Sequence, residues 1–426
     1  MSDLIRSTAT STAAVGGGQG KTSEQILRSA AESVRTGDLE AARRLLSTMP
    51  QNESAHPDIQ LAGLLFEQGR VNEARARLEQ FSAVPANAFE AHLLHAELAV
   101  NEGRWFDALT HVHAARAAPV PSRWNDLRKK TVRATLLVME GVSLEGLRQW
   151  QTARQVYEKA APADSELPGI LSGRARTAFY LGDPEQAAGY FRELRVTQPQ
   201  LPLAELLLAR LFSEAEKPEE AERWFARGLK SENPLDRSSV RLAYADWLLY
   251  RNQPDQALAT LSDEQFDAAR QTERQYLMAL ALRMQQRFDE AQNLLKTLHH
   301  QDAASFPVSN QLALVMIESD DDTYRSRALQ IAESNVRNNS NLAEAWSTLG
   351  WIQFRLGDVA SAEKNLATAI QSGTTSRDTV LYMARVKQRL GAADVANELL
   401  AATKNSTGPV YAPLSDATSL GASSNE

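Results

Sequence analysis

Residues 346–370 read "WSTLGWIQFRLGDVASAEKNLATAI". Gly357, near the middle, suits the left-handed backbone that a helix exit needs, because glycine has no Cβ to clash there. A helix is therefore predicted on each side of it. The second helix carries Ala362 and, one turn later, Leu366 on the same face. Gly350 on the first helix and Ala362 on the second are small enough for two antiparallel helices to approach closely. The stretch predicts a helical hairpin with small residues along its seam.

The arrangement recurs along almost the whole chain, as an internal repeat requires. In register with Ala362 stand Ala42, Ala74, Ala108, Ala153, Ala187, Ala221, Ala257, Ala291, Ala328 and Ala396, and six of the ten gaps between these anchors are 34 residues. Five residues before the anchor come Gly37, Gly69, Gly103, Gly182, Gly357 and Gly391, in a chain with only 21 glycines. Twelve before it the residue is Ala or Gly in ten of eleven repeats, and four after it a large apolar residue in ten of eleven. Pro184, Pro218 and Pro254 fall near the start of the second helix, where a missing N–H costs nothing. Other prolines, such as Pro50, Pro85 and Pro199, fall between repeats. Two gaps depart from the period. The 45-residue gap after Ala108 inserts eleven residues around "APVPSRWNDLRKKTVRA", read as a lengthened helix or as a break at 116–135. The 37-residue gap before Ala328 places its extra residues in "ESDDDT".

This pattern resembles the tetratricopeptide repeat. Trp346, Leu349, Gly350 and Ala362 fall on that family's signature and Leu366 on its usual aromatic position, while Gln353 stands where tyrosine is expected. A second good copy is "RARTAFYLGDPEQAAGYFREL", with Phe191 and Pro199 in place. The resemblance covers about residues 23–403. It implies an all-α, right-handed superhelical solenoid of about eleven antiparallel hairpins. It also implies a concave wall, lined mainly by the first helices, that binds partner polypeptides. The residue eleven before each anchor is expected to face that wall. In that column stand Glu97, Arg176, Arg210, Asp246, Leu280, Trp351 and Arg385. Arg176, Arg210 and Asp246 are expected to meet the partner, with Trp351 and Arg385 as a second anchor, since Arg and Trp are enriched at binding hot spots. The column holds none of the asparagines and lysines with which some members of the family clamp a C-terminal carboxylate.

The composition fits a scaffold rather than a nucleic-acid binder. The 426 residues carry a formal net charge of -7, so a general nucleic-acid surface is not expected. There is no cysteine, which excludes disulfides, thiolate catalysis and cysteine-ligated zinc. No run approaches the ~18 apolar residues of a membrane span. "MSDLIRSTAT" lacks a basic region followed by an apolar one, so a cytoplasmic location is expected. Residues 1–22 and 404–426 are expected to be disordered tails.

Several constellations invite chemistry. In "AAVGGGQGKT" (residues 13–22), Gly20, Lys21 and Thr22 supply half of a phosphate loop. Val15 stands where a Gly is needed and no apolar strand precedes it. Nucleotide binding or hydrolysis through segment 16–22 is thus the alternative to the scaffold reading, and no cofactor is expected. His92, His95, His111 and His113 cluster in one repeat, with spacing that puts the first two on one helix face. They are read as packed histidines rather than metal ligands. Ser143 in "GVSLEG" resembles a nucleophile elbow, but Glu145 replaces its second Gly and no strand leads into it. Asp320, Asp321 and Asp322 lack the rest of a calcium loop and read as a solvated turn. Arg128, Lys129 and Lys130 read as a solvated basic face. The chain is accordingly expected not to be an enzyme.

Overall fold

A computed structural model describes residues 22–82, 84–159, 168–262, 266–372, 376–405 and 408–412. Among the described residues there are 22 α-helices and no strand. They pair into eleven hairpins, from Ser23–Arg35 with Leu39–Leu46 to Arg377–Arg389 with Ala393–Asn405. The seam is where the sequence places it. Ten anchor alanines have no accessible surface at all, and Ala396 has 3%. In the hairpin quoted above, a Cβ added to Gly350 would lie 2.7 Å from Leu366 Cγ and 3.1 Å from the Ala362 carbonyl oxygen. Only glycine fits that crossing.

The glycine column proves to be a backbone column. Gly37, Gly69, Gly103, Gly182, Gly357 and Gly391 all adopt positive φ, and so do Arg148, Glu216, Asn252 and Gln286, at 56° to 61°. These four stand five residues before Ala153, Ala221, Ala257 and Ala291. Ten of the eleven repeats therefore make the same turn, whatever side chain they carry. Its hydrogen bonds are those of a Schellman cap. At Gly357 the N–H donates to the Phe354 carbonyl at 3.0 Å, and the next N–H, of Asp358, reaches back to the Gln353 carbonyl at 2.9 Å. The turn at Thr323 departs because the second helix begins earlier there and runs from Asp322 to Asn338.

A left-handed backbone strains a residue with a Cβ by about 1–2 kcal/mol. Arg148, Glu216 and Gln286 are exposed. Replacing each by glycine is expected to stabilise the chain by about 0.5–1 kcal/mol, after the extra freedom that glycine gives the unfolded chain. A thermal midpoint that falls in the triple variant would contradict this.

The chain divides into two compact units, Met1–Leu208 and Ala209–Glu426, with the division inside the helix Ala204–Glu214. In the first unit each helix packs on its neighbours in sequence, and each first helix also packs on the next first helix. The same stacking repeats in the second unit from Pro234–Tyr250 to Arg377–Arg389. Neighbour-only packing of this kind is what a repeat array uses to bury its core. The insertion around 116–135 does not separate units. Its extra residues lengthen one helix to 21 residues, Asp126–Gly146. The loop before that helix is pinned to earlier hairpins, at Ser54 and Glu90. Buried Trp124 donates its indole N–H to the Ser54 carbonyl at 3.1 Å, and Arg123 pairs with buried Glu90 at 2.6 Å. Asp321 caps the helix Asp322–Asn338 by accepting from the Thr323 N–H, so the aspartate run ends in a helix cap.

Candidate functional site

The second unit contains a cavity of about 610 Å³. First helices supply most of its wall. From Gln271–Met284 come Tyr276 and Arg283, and from Arg377–Arg389 come Asp378 and Tyr382. Arg283 is almost wholly buried. It donates to Gln311 Oε1 at 2.6 Å and to the Tyr382 hydroxyl at 2.9 Å, and its guanidinium lies 3.8 Å from Asp378. Tyr382 in turn stacks on Trp351 at 4.3 Å, which fixes the phenol. Burial pushes the Asp378 carboxyl above the usual carboxylate range, while Arg283 pulls it back. Burial also pushes the Tyr276 phenol up to about 12.

The chain itself supplies part of the cavity wall, through Gly408, Pro409 and Tyr411. After the last helix, Gly408–Ala412 runs back along the cavity without regular secondary structure. Asn252 brackets this segment. Its side-chain oxygen accepts from the Val410 N–H at 2.9 Å and its amide nitrogen donates to the Gly408 carbonyl at 3.4 Å. Arg377 donates to the same carbonyl at 2.7 Å. One oxygen of Asp378 accepts from the Tyr411 and Ala412 N–H groups, both at 3.0 Å. Val410 and Ala412 are buried in one apolar cluster and Tyr411 packs on another. The expectation of a disordered tail over all of 404–426 is corrected at these residues. The physical reason is that their order comes from backbone hydrogen bonds to side chains of distant helices, which composition does not reveal. The rest of 413–426, like residues 1–21, lies outside the described residues.

The profile of the tetratricopeptide repeat matches residues 172–236. The structure folds that stretch as helices joined by the turns at Gly182 and Glu216, and the same turn recurs in ten of the eleven hairpins. Residues 172–236 thus form a tetratricopeptide-repeat segment. The chain is similar to a tetratricopeptide-repeat protein of Thermus thermophilus, at 19% identity and a TM-score of 0.36, covering 39% of this chain and 89% of that one. It is similar also to the Cut9–Hcn1 hetero-tetramer of the APC/C, at 13% identity and a TM-score of 0.39, covering 90% of this chain and 94% of that one. A third similar structure is the human IFIT1 dimer with PPP-AAAA, at 14% identity and a TM-score of 0.36, covering 94% and 93%. No curated protein matches the sequence significantly.

Within the repeats, the five residues expected to meet a partner have different fates. Arg176, in the first unit, is committed to its own chain. It grips buried Glu145 with two hydrogen bonds, at 2.5 and 2.9 Å, and donates to Ser172 at 2.6 Å. Burial works against its charge and Glu145 more than offsets this, so its pKa is raised. Trp351 is 4% exposed and lies in the core of the second unit, between Tyr382 and Phe354, with its indole N–H on Glu318. Trp351 is a core residue and not a surface anchor, whereas the Arg176 side chain remains 30% exposed. The correction has one cause: an Arg or a Trp on an inner helix face is as useful to the core as to a ligand. Arg210 is exposed. Asp246 is open to solvent yet crowded by protein, which raises its carboxyl, while the charge of Arg210 lowers it. Arg385 is half-buried.

Leu280 of the expected column lines the cavity, and many other lining positions stand one or two helical turns earlier. Glu344 and Asp378 stand eighteen before their anchors, Tyr276 and Ser347 fifteen, and Thr348 and Tyr382 fourteen. Asn252, Arg283, Asp378 and Tyr382 were not singled out by the sequence. Asn252 carried one signal: it occupies the glycine column as the residue type that most readily tolerates the left-handed region after glycine.

The other candidates have structural roles. Ser143 is fully buried and donates back to the Met139 carbonyl at 2.7 Å, so its hydroxyl is spent within a helix. Thr22 caps the first helix by accepting from the Gln25 N–H, whereas the rest of segment 16–22 lies outside the described residues. His92 and His111 approach at 3.1 Å, and His95 stacks on His111 at 4.6 Å. Burial, then the charges of its two neighbours, lowers His95 to about 4. His113 instead faces Glu140 at 3.7 Å. Among the described residues no group of His, Asp and Glu could hold a metal ion. Arg128 lies 5.1 Å over the Trp124 ring and Lys129 pairs with Asp126 at 3.7 Å. No described helix is long and apolar enough to cross a membrane. In the expected column, Glu97 is pushed up to about 7 by burial and then by Glu67.

Proposed function

We propose that this chain is a non-catalytic scaffold whose second unit holds an extended segment of a partner polypeptide against its first helices. One observation carries the reading: the seating of Gly408–Ala412. The groove's polar side chains are matched to a peptide backbone. Asn252 both donates and accepts across one residue, Asp378 accepts from two successive N–H groups, and Arg377 donates to a carbonyl. Backbone hydrogen bonds supply affinity for an extended segment, and flanking apolar pockets select its side chains. Arg210, Asp246 and Arg385 are proposed to contribute polar contacts.

Selection of a displayed random-peptide library on the purified chain, followed by amide-exchange footprinting, tests this. Bound sequences are expected to protect the helices Pro234–Tyr250, Gln271–Met284 and Arg377–Arg389. Protection confined to the second helices of the hairpins would contradict it.

A further inference from the structure

We propose that the groove of the second unit selects extended segments of the kind Gly-Pro-Val-Tyr-Ala, and that the chain's own Gly408–Ala412 is the resident ligand a partner must displace. The proposal rests on the scaffold reading above and names both its ligand class and its regulation.

Each position of the segment has a reason. Gly408 adopts φ 117°, a conformation that disfavours any side chain. Pro409 presets an extended backbone and lowers the ordering cost of binding. Val410 and Ala412 are buried within the apolar core cluster of the second unit, at 4% and 9% exposure. Tyr411 turns to the opposite side, with the Arg283 guanidinium 5.7 Å from its ring. Only backbone atoms of the segment make the hydrogen bonds described, so a partner with the same small–Pro–apolar–aromatic–small pattern would reproduce them. The groove also keeps unused capacity. Asn310, 7% exposed and lining the same cavity, has a side-chain oxygen with no hydrogen-bond partner among the described residues. Buried acceptors of this kind are seldom left unpaired.

The tether makes the tail a strong competitor. The last helix ends at Asn405, three residues before Gly408. A short link holds a ligand at an effective concentration in the millimolar range. A partner's apparent affinity is reduced by the fraction of molecules whose groove is open.

The chain offers a clean test because Asn252 has φ 59°. Asn252→Gly removes the bracketing amide and relieves the backbone, so binding is lost without loss of the turn. The probe is a fluorescein-labelled peptide of sequence GPVYAPL, residues 408–414. Three full-length chains are titrated with it: the parent, Val410→Asp, and Val410→Asp with Asn252→Gly. Val410→Asp places a charge in a buried apolar site next to Asp378 and should expel the tail. The expected result is that Val410→Asp binds the peptide at least about tenfold more tightly than the parent, and that adding Asn252→Gly abolishes the gain. Equal binding by the parent and Val410→Asp overturns the proposal, as does indifference to Asn252→Gly. If Val410→Asp lowers the helical signal, a chain ending at Asn405 replaces it with the same expected outcomes. Should the opened chain refuse GPVYAPL yet bind library-selected segments on the same helices, this inference fails and the scaffold reading stands. If it binds neither, both fall.

Discussion

Glu145→Ala is expected to destabilise the first unit by about 3–5 kcal/mol, the usual consequence of removing one partner from a buried ion pair. Glu145 is 9% exposed and holds three groups at once: both arms of the Arg176 guanidinium and the Tyr157 hydroxyl, the last at 2.5 Å. Alanine would leave the Tyr157 phenol and two guanidinium nitrogens of Arg176 without their acceptor, with only the Ser172 hydroxyl still accepting from Arg176. For a unit of 208 residues, a loss of this size lowers the thermal midpoint by roughly 10 °C. Glu145→Gln keeps an acceptor and should lose less. Arg176→Ala should also destabilise, in contrast to the small effect expected of a groove-facing arginine. A midpoint unchanged in Glu145→Ala, followed by circular dichroism, would show that the cluster contributes nothing to folding.

Gly173→Ala is expected to cost about 3 kcal/mol, at the upper end for overpacking a core. Helix propensity predicts the opposite, a gain of about 1 kcal/mol. Packing wins because a Cβ at Gly173 would lie 2.2 Å from Tyr157 Cζ and 2.5 Å from both adjacent ring carbons. The ring has nowhere to move. Gly141 abuts it too, at 2.3 Å from the same atom by the same construction, and its hydroxyl is tied to Glu145. Leucine occupies the position of Tyr157 in several other hairpins, as Leu46, Leu78 and Leu295. Gly173→Ala combined with Tyr157→Leu should therefore be more stable than Gly173→Ala alone. A Gly173→Ala chain that melts at or above the parent would refute the close approach.

The array was legible because small residues at a helix crossing have few substitutes. Ala362 and Gly350 announce the seam, and six glycines announce the turn. The other four left-handed turns were not legible. Arg148, Glu216 and Gln286 enter that region against their own preference, held by the helices on both sides. The groove was half legible. The cavity wall lies mainly on the first helices, and of the column eleven residues before the anchor only Leu280 lines it among the described residues. Asp378 and Tyr382 sit earlier, and no residue type marks them as ligands. The seated tail was invisible for a different reason. Its recognition uses N–H and C=O groups, which every residue has, and a Ser/Gly/Pro-rich composition signals only the absence of a helix.

Amide hydrogen exchange at Val410, Tyr411 and Ala412 in the free parent chain tests whether the second unit holds an extended segment against its first helices. Asn252 and Asp378 accept from these three N–H groups. A seated segment predicts exchange slowed by on the order of a hundredfold or more relative to an unstructured peptide. Asn252→Gly should release Val410. Exchange of all three amides at the unstructured rate in the parent would contradict the account.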